Sequence, residues 1–176
     1  MSSLLVLTAL GEDRPGIIAN LADKVVKYDC NITESRMSLL GGEFAVIMLV
    51  EGKWNNVAKL EAALSNMEAE LGIQLTSKRT ETRQMASKAI PYTVEVLAMD
   101  NPGIVHNVSS FFSSRKINIH DVESSCFNAP HTGTAMFTLN MTIEVPSETH
   151  IATLREDFME FSDEYNLDAI IEPIKT

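Results

Sequence analysis

Cysteine is nearly absent from this 176-residue chain, where Cys30 and Cys126 are the only two. Two thiols cannot build a disulfide framework, and neither has neighbours spaced like metal ligands. Histidine is also thin, at His106, His120, His131 and His150, with no pair at metal-site spacing and no HExxH or CxxC. These four read as ordinary surface or loop residues, so no metal or cofactor is expected. GxSxG, GxxxxGKS/T and GxGxxG are missing too, which leaves no nucleophile elbow, P-loop or dinucleotide fingerprint. No catalytic residue is assigned, and the chain reads as a non-enzyme.

Basic residues are outnumbered: 14 Lys and Arg face 24 Asp and Glu, for a net charge of -10 and a pI near 4.8. Nucleic-acid affinity rests largely on Lys and Arg displacing counterions, so direct DNA binding is disfavoured. No apolar run approaches the roughly 20 residues needed to span a bilayer. The first residues lack the basic start and long apolar stretch of a signal peptide. The cytoplasm is the expected compartment, with no membrane partner. What remains, 45% hydrophobic and 22% charged residues, is ordinary for a globular protein of one medium or two small domains.

The chain repeats itself. Asp13-Arg14-Pro15-Gly16-Ile17 returns as Asp100-Asn101-Pro102-Gly103-Ile104, 87 residues on, and the same offset carries Asn31-Ile32 onto Asn118-Ile119. An insertion around residues 128–131 then lengthens the offset to 91, setting Gly42 against Gly133. At an offset of 94, Val57, Leu60, Leu64, Met67 and Leu71 fall on Ile151, Leu154, Phe158, Phe161 and Tyr165. Three matches in one order mark two copies of one module. The polar stretch 81–91 reads as a linker between a first domain at 1–80 and a second at 92–176. Residues 1–85 hold nine bases and eleven acids, net -2, while 86–176 hold five and thirteen, net -8. That asymmetry suggests that the second copy meets a basic partner.

Each copy reads strand, helix, strand, strand, helix, strand. Leu4 to Leu7 is a short apolar run. Ile18, Leu21 and Val25 recur at helical spacing behind Pro15, which suits a first helical turn. The segments 31–39 and 43–51 flank Gly41-Gly42 as a hairpin, and the 57–71 stripe predicts a second helix before a strand at 73–79. The second copy repeats these at 92–99, 102–114, 117–127, 133–144, 147–164 and 167–174. Six elements in this order predict an α+β fold: two tandem ferredoxin-like βαββαβ domains, each an antiparallel sheet with both helices on one face. A lone copy leaves a sheet face or edge open, so close packing between copies, or a homodimer, is expected.

One feature has a physical reason to bind. Asp13-Arg14-Pro15-Gly16 and Asp100-Asn101-Pro102-Gly103 each lead into a helix N-terminus, where free backbone N–H groups favour a carboxylate. Gly16 and Gly103 leave that backbone approachable. Asn31 and Asn118, at the start of the next strand, are expected near the same loop, their amides able to hold an ammonium or carboxylate. The competing reading is structural: Pro and Gly start the helix, Asp13 and Asn101 sit near its cap, and the asparagines make a turn.

At these residues the chain resembles the ACT domain family, ligand-sensing modules of this strand and helix order. The D-R-P-G-I loop and the N-I that follows carry the resemblance, twice, across nearly the whole length. It implies that an amino acid is held by Asp13 to Ile17 with Asn31 and Ile32, and by Asp100 to Ile104 with Asn118 and Ile119. The replacement of Arg14 by Asn101 implies that the two sites need not both bind. No catalytic or DNA-binding domain accompanies the modules, unlike ACT-bearing enzymes. The start LTALGEDRPGII, the stretch 43–49 and Gly52-Lys53-Trp54-Asn55 further resemble the tandem-module regulators of bacterial glycine cleavage operons. Such regulators bind a DNA-bound transcription activator, with glycine relieving repression. The alternative is a free-standing ACT regulator that controls a metabolic enzyme.

Overall fold

Period-two burial in the strands and period-four burial in the helices converge on two cores. The computed structural model describes residues 2–81 and 89–174. Its elements are β1 (Ser2–Glu12), α1 (Ile17–Lys27), β2 (Asn31–Leu40), β3 (Glu43–Lys53), α2 (Trp54–Leu71) and β4 (Gln74–Thr80), then β5 (Ala89–Met99), α3 (Ile104–Ser114), β6 (Asn118–Asn128), β7 (Ala135–Pro146), α4 (Ile151–Glu164) and β8 (Asp168–Pro173). The chain divides into two units, residues 1–84 and 85–176. The strand order is β2-β3-β1-β4 in the first and β6-β7-β5-β8 in the second, every neighbour antiparallel.

In the first unit Leu5, Leu7 and Ala9 of β1 and Phe44, Val46, Met48 and Val50 of β3 share one face of the sheet, because alternate residues point the same way. Ile17, Leu21 and Val25 of α1 and Val57, Leu60 and Leu64 of α2 join them in a single cluster, so both helices cover that face. The second unit repeats the design with more aromatic filling: Phe111 and Phe112 of α3 meet Phe158 of α4 at ring centroids 5.1 and 5.2 Å apart. The two-module α+β fold expected from the repeat is therefore the fold observed.

Several boundaries move. Helix α1 begins at Ile17 and α3 at Ile104, so Pro15 and Pro102 precede their helices, and Ile17 leads the buried stripe in place of Ile18. Residues 147–150 form a turn, Thr149 N–H to Pro146 carbonyl at 2.9 Å, and α4 starts after it. Strand β5 starts at Ala89, which takes Pro91 into the sheet opposite Glu144. Pairing with β8 ends at Tyr92 and Pro173, so the N–H that Pro91 lacks falls where the ladder runs out. Of the expected linker at 81–91, residues 82–88 lie outside the described residues and 89–91 are strand. The pairing also corrects the repeat. Glu12 faces Glu43 and its counterpart Met99 faces Met136, so the third strands match at an offset of 93 and Gly42 corresponds to Ala135. Gly133 belongs to the inserted turn, where its N–H reaches the Ala129 carbonyl at 2.8 Å.

Candidate functional site

Each loop hangs between the end of a central strand and a helix. In the first unit Asp13 N–H bonds the Gly42 carbonyl at 3.4 Å, Ile17 N–H bonds the Arg14 carbonyl at 3.3 Å, and Asn20 N–H closes on Gly16 at 2.9 Å. In the second, Asp100 N–H bonds the Ala135 carbonyl and Asn107 N–H bonds Gly103, both at 2.9 Å. Gly16 (φ 88°) and Gly103 (φ 97°) take the left-handed conformation that side chains resist. Neither α1 nor α3 has a side-chain cap or an acidic residue in its first turn. The capping role considered for Asp13 and Asn101 is therefore not what these residues do, and Gly16 and Gly103 stand at the cap positions.

The loops and the asparagines are not together within a unit. Asn31 lies level with Glu51, and Glu51 with Leu4, at the start of β1. The loop leaves the other end of β1, after Glu12, eight residues and about 26 Å away at strand rise. Asn118 similarly pairs through Glu144 with Pro91. The cause is topological: β1 and β2 both run antiparallel to β3, so they are parallel to each other, and the start of one lies far from the end of the other. Asn118 Nδ2 donates to Glu144 Oε2 at 2.8 Å, and His120 Nδ1 is 3.6 Å from Oε1. Ile32 and Ile119 are half-buried and pack on their cores.

Other residues, absent from the expected set, join the loops. In the first unit the Arg14 guanidinium crosses to the end of α2, where Nη2 donates to the Leu71 carbonyl. It lies 3.8 Å from where a Cβ on Gly72 would stand. The negative end of the α2 dipole thus holds an internal cation. In the second unit the shorter Asn101 replaces Arg14. A pocket of about 380 Å³ lies there, walled by Asn101, Pro102, Ile104 and Asn107 on the loop side and by Tyr165 and Asn166 at the end of α4. A depression near the end of α2 in the first unit is lined by Leu10, Gly11, Glu68 and Gly72 and by no residue of the 13–17 loop. One signal pointed to these walls: Gly72 and Asn166 correspond at the offset of 94, and both are left-handed, φ 63° and 53°.

Neither thiol is activated. Burial raises the Cys30 thiol above its ordinary value, with Asp29 adding to the effect. Cys126, near the loop end of β6, is raised by desolvation and then by the charge and hydrogen bond of Asp100. Among the described residues no three His, Cys, Asp or Glu side chains gather as a metal site, and no helix is long and apolar enough to cross a membrane.

Known proteins agree with this architecture. The family model described as the ACT domain matches residues 3–78. The glycine cleavage system transcriptional repressor of Escherichia coli (strain K12) is 32% identical over 162 residues, 92% of this chain and 85% of that protein. A UPF0237 protein of Methanosarcina mazei is 30% identical over 76 residues, 42% of this chain and 83% of its own. A crystal structure provisionally assigned as a glycine cleavage system transcriptional repressor matches with a TM-score of 0.76 at 26% identity, covering 100% of this chain and 99% of that one. A protein of unknown role from Galdieria sulphuraria reaches a TM-score of 0.80 at 24% identity, over 99% and 100% of the two chains, and shares the fold.

Proposed function

This chain belongs to the tandem ACT-domain family of the glycine cleavage system transcriptional repressor, and on that premise we propose that it is a non-enzymatic, amino-acid-responsive repressor. Its target is a transcription activator of a glycine cleavage operon, glycine is the ligand that relieves repression, and it works in the cytoplasm. The observation that carries this reading is identity to the Escherichia coli repressor across both modules, 92% of the chain. The charge of -10 supports action through a protein in place of DNA. The ligand-binding part rests on the paired loops at Asp13–Ile17 and Asp100–Ile104, which lead into helix N-termini without a side-chain cap.

A reporter fused to the glycine cleavage operon of the host tests it. Deleting this chain should raise expression in medium without glycine and leave little further response to added glycine. Affinity capture of the tagged chain should recover the operon's activator, and added glycine should weaken that capture. Unchanged reporter output, or capture of a catalytic subunit in place of the activator, would transfer the chain to the role of an enzyme regulator.

A further inference from the structure

Helices α1 and α2 of the first unit are tied across their groove by an ion pair, Lys24 Nζ on Glu70 Oε2. In the second unit the counterpart of the lysine is Phe111 and that of the glutamate is Glu164. The exchange removes the cation and keeps the acid. Phe111 is buried, and it begins an aromatic row along the groove, with Phe161 4.9 Å from it and Tyr165 4.8 Å from Phe161. Tyr165, at the end of the row, stays 44% exposed. A groove of about 600 Å³ runs over this row between α3 and α4. The chain itself shows what such a groove holds. At one end Arg115 lays its guanidinium 3.8 Å over the Phe111 ring and reaches Asp157 Oδ2 with Nη2 at 3.0 Å. A cation on an aromatic face beside a carboxylate is well seated, because the ring quadrupole and the acid both attract it. Further along α4, Phe161 and Tyr165 line the groove with Glu160 and Glu164, the same pairing of ring and acid. Both glutamates are exposed, and among the described residues neither has an ion pair.

We infer that the α3–α4 groove of the second module is the surface that docks the protein partner, through a Lys or Arg side chain with an apolar neighbour. The partner's cation settles between Glu160 and Glu164, and its apolar residue covers Phe161 and Tyr165. Charge selects this occupant: Arg115, the permanent cation of the groove, is already spent on Asp157, and residues 86–176 carry a net -8. The first module does not offer the same seat, since Lys24 fills it from within. This assignment rests on the protein-partner reading above and adds to it the surface and the chemistry that the surface selects.

Calorimetric titration of the full chain with the purified activator of the host's glycine cleavage operon tests it. Glu160→Lys combined with Glu164→Lys should weaken binding about tenfold or more, since like charges then meet across the contact. The melting temperature should hold, because both side chains are exposed. Ser110→Lys, at an exposed position of α3 that lines the groove, should also weaken binding by supplying an internal lysine. Glu95→Lys combined with Glu123→Lys makes the same change of charge at exposed positions of β5 and β6 and should cost much less. Equal losses in the groove and strand variants would reduce the effect to net charge and overturn the docking surface. Natural affinity in the groove variants would overturn it too, and either result leaves the regulatory reading intact. Absence of binding by the natural chain would overturn the assigned partner and this surface with it. Should the double groove variant not fold, Ser110→Lys decides alone, because natural affinity there refutes the groove.

Discussion

At the scale of single residues, the difference between Arg14 and Asn101 is the most informative in the chain. Arg14 ties the loop after β1 to the carbonyl of Leu71, a partner 57 residues away. A part-buried, charge-assisted bond of this kind contributes about 1.5–3 kcal/mol. Arg14→Ala should lower the unfolding free energy measured in urea by that amount, while Asn101→Ala should leave it within error. The Cys126 thiol gives a second test. Its titration is held above the ordinary range in part by the negative charge of Asp100, since a thiolate there would face a carboxylate. Alkylation of Cys126 should accordingly be slow at neutral pH and accelerate only on the alkaline side of the ordinary thiol range. Asp100→Asn removes that charge, lowers the titration point and should speed the reaction at pH 8. An unchanged alkylation rate in this variant would mean that the carboxylate does not reach the thiol.

Elements hold by the fit of one helical face on one sheet face. Helix α4 carries the point with Phe158, 1% exposed, whose ring lies 5.1 Å from Phe111, 5.2 Å from Phe112 and 5.9 Å from Phe161. Removing it empties the centre of the second core, and Phe158→Ala should cost about 3–5 kcal/mol by chemical denaturation. The edge strands β2 and β6 behave differently. Their side chains are almost all exposed, and each carries a bulge, at Ile32–Glu34 and Ile119–Asp121. Bulges twist an open edge away from chance pairing with another chain. At this scale the turn after α2 closes with Gly72 and that after α4 with Asn166 in the same left-handed state, so the two helices end alike where the Arg14 contact and the Asn101 pocket lie.

For the whole molecule, charge decides what kind of partner is reachable. Net charge is -10, with -8 of it in residues 86–176. A chain so poor in Lys and Arg releases few counterions from a duplex. In a gel-shift experiment at moderate salt, the purified protein should give no band with operon DNA, and a band should require the activator. A specific complex formed by the protein alone would contradict repression through a protein partner. By the same electrostatics, capture of a basic partner by the second module should weaken as salt rises.

The twofold repeat, the element order and the identity of the core faces were legible in the amino-acid sequence. They depend on local periodicity and turn residues, which each segment carries in itself. Boundaries drifted where local signals are weak: Pro91 looked like the end of a linker because a missing N–H is tolerated only where the neighbouring strand has stopped. The D-R-P-G and D-N-P-G loops were legible as well, but the company they keep was not. Asn31 and Asn118 stand at the far end of the sheet because strand direction follows from sheet order, which couples β1 to β2 through β3. The reach of Arg14 to Leu71, and the opening left by Asn101 beside Tyr165 and Asn166, needed the tertiary structure. Contacts between residues 57 or more positions apart are set by how helices seat on a sheet, and no local pattern encodes them.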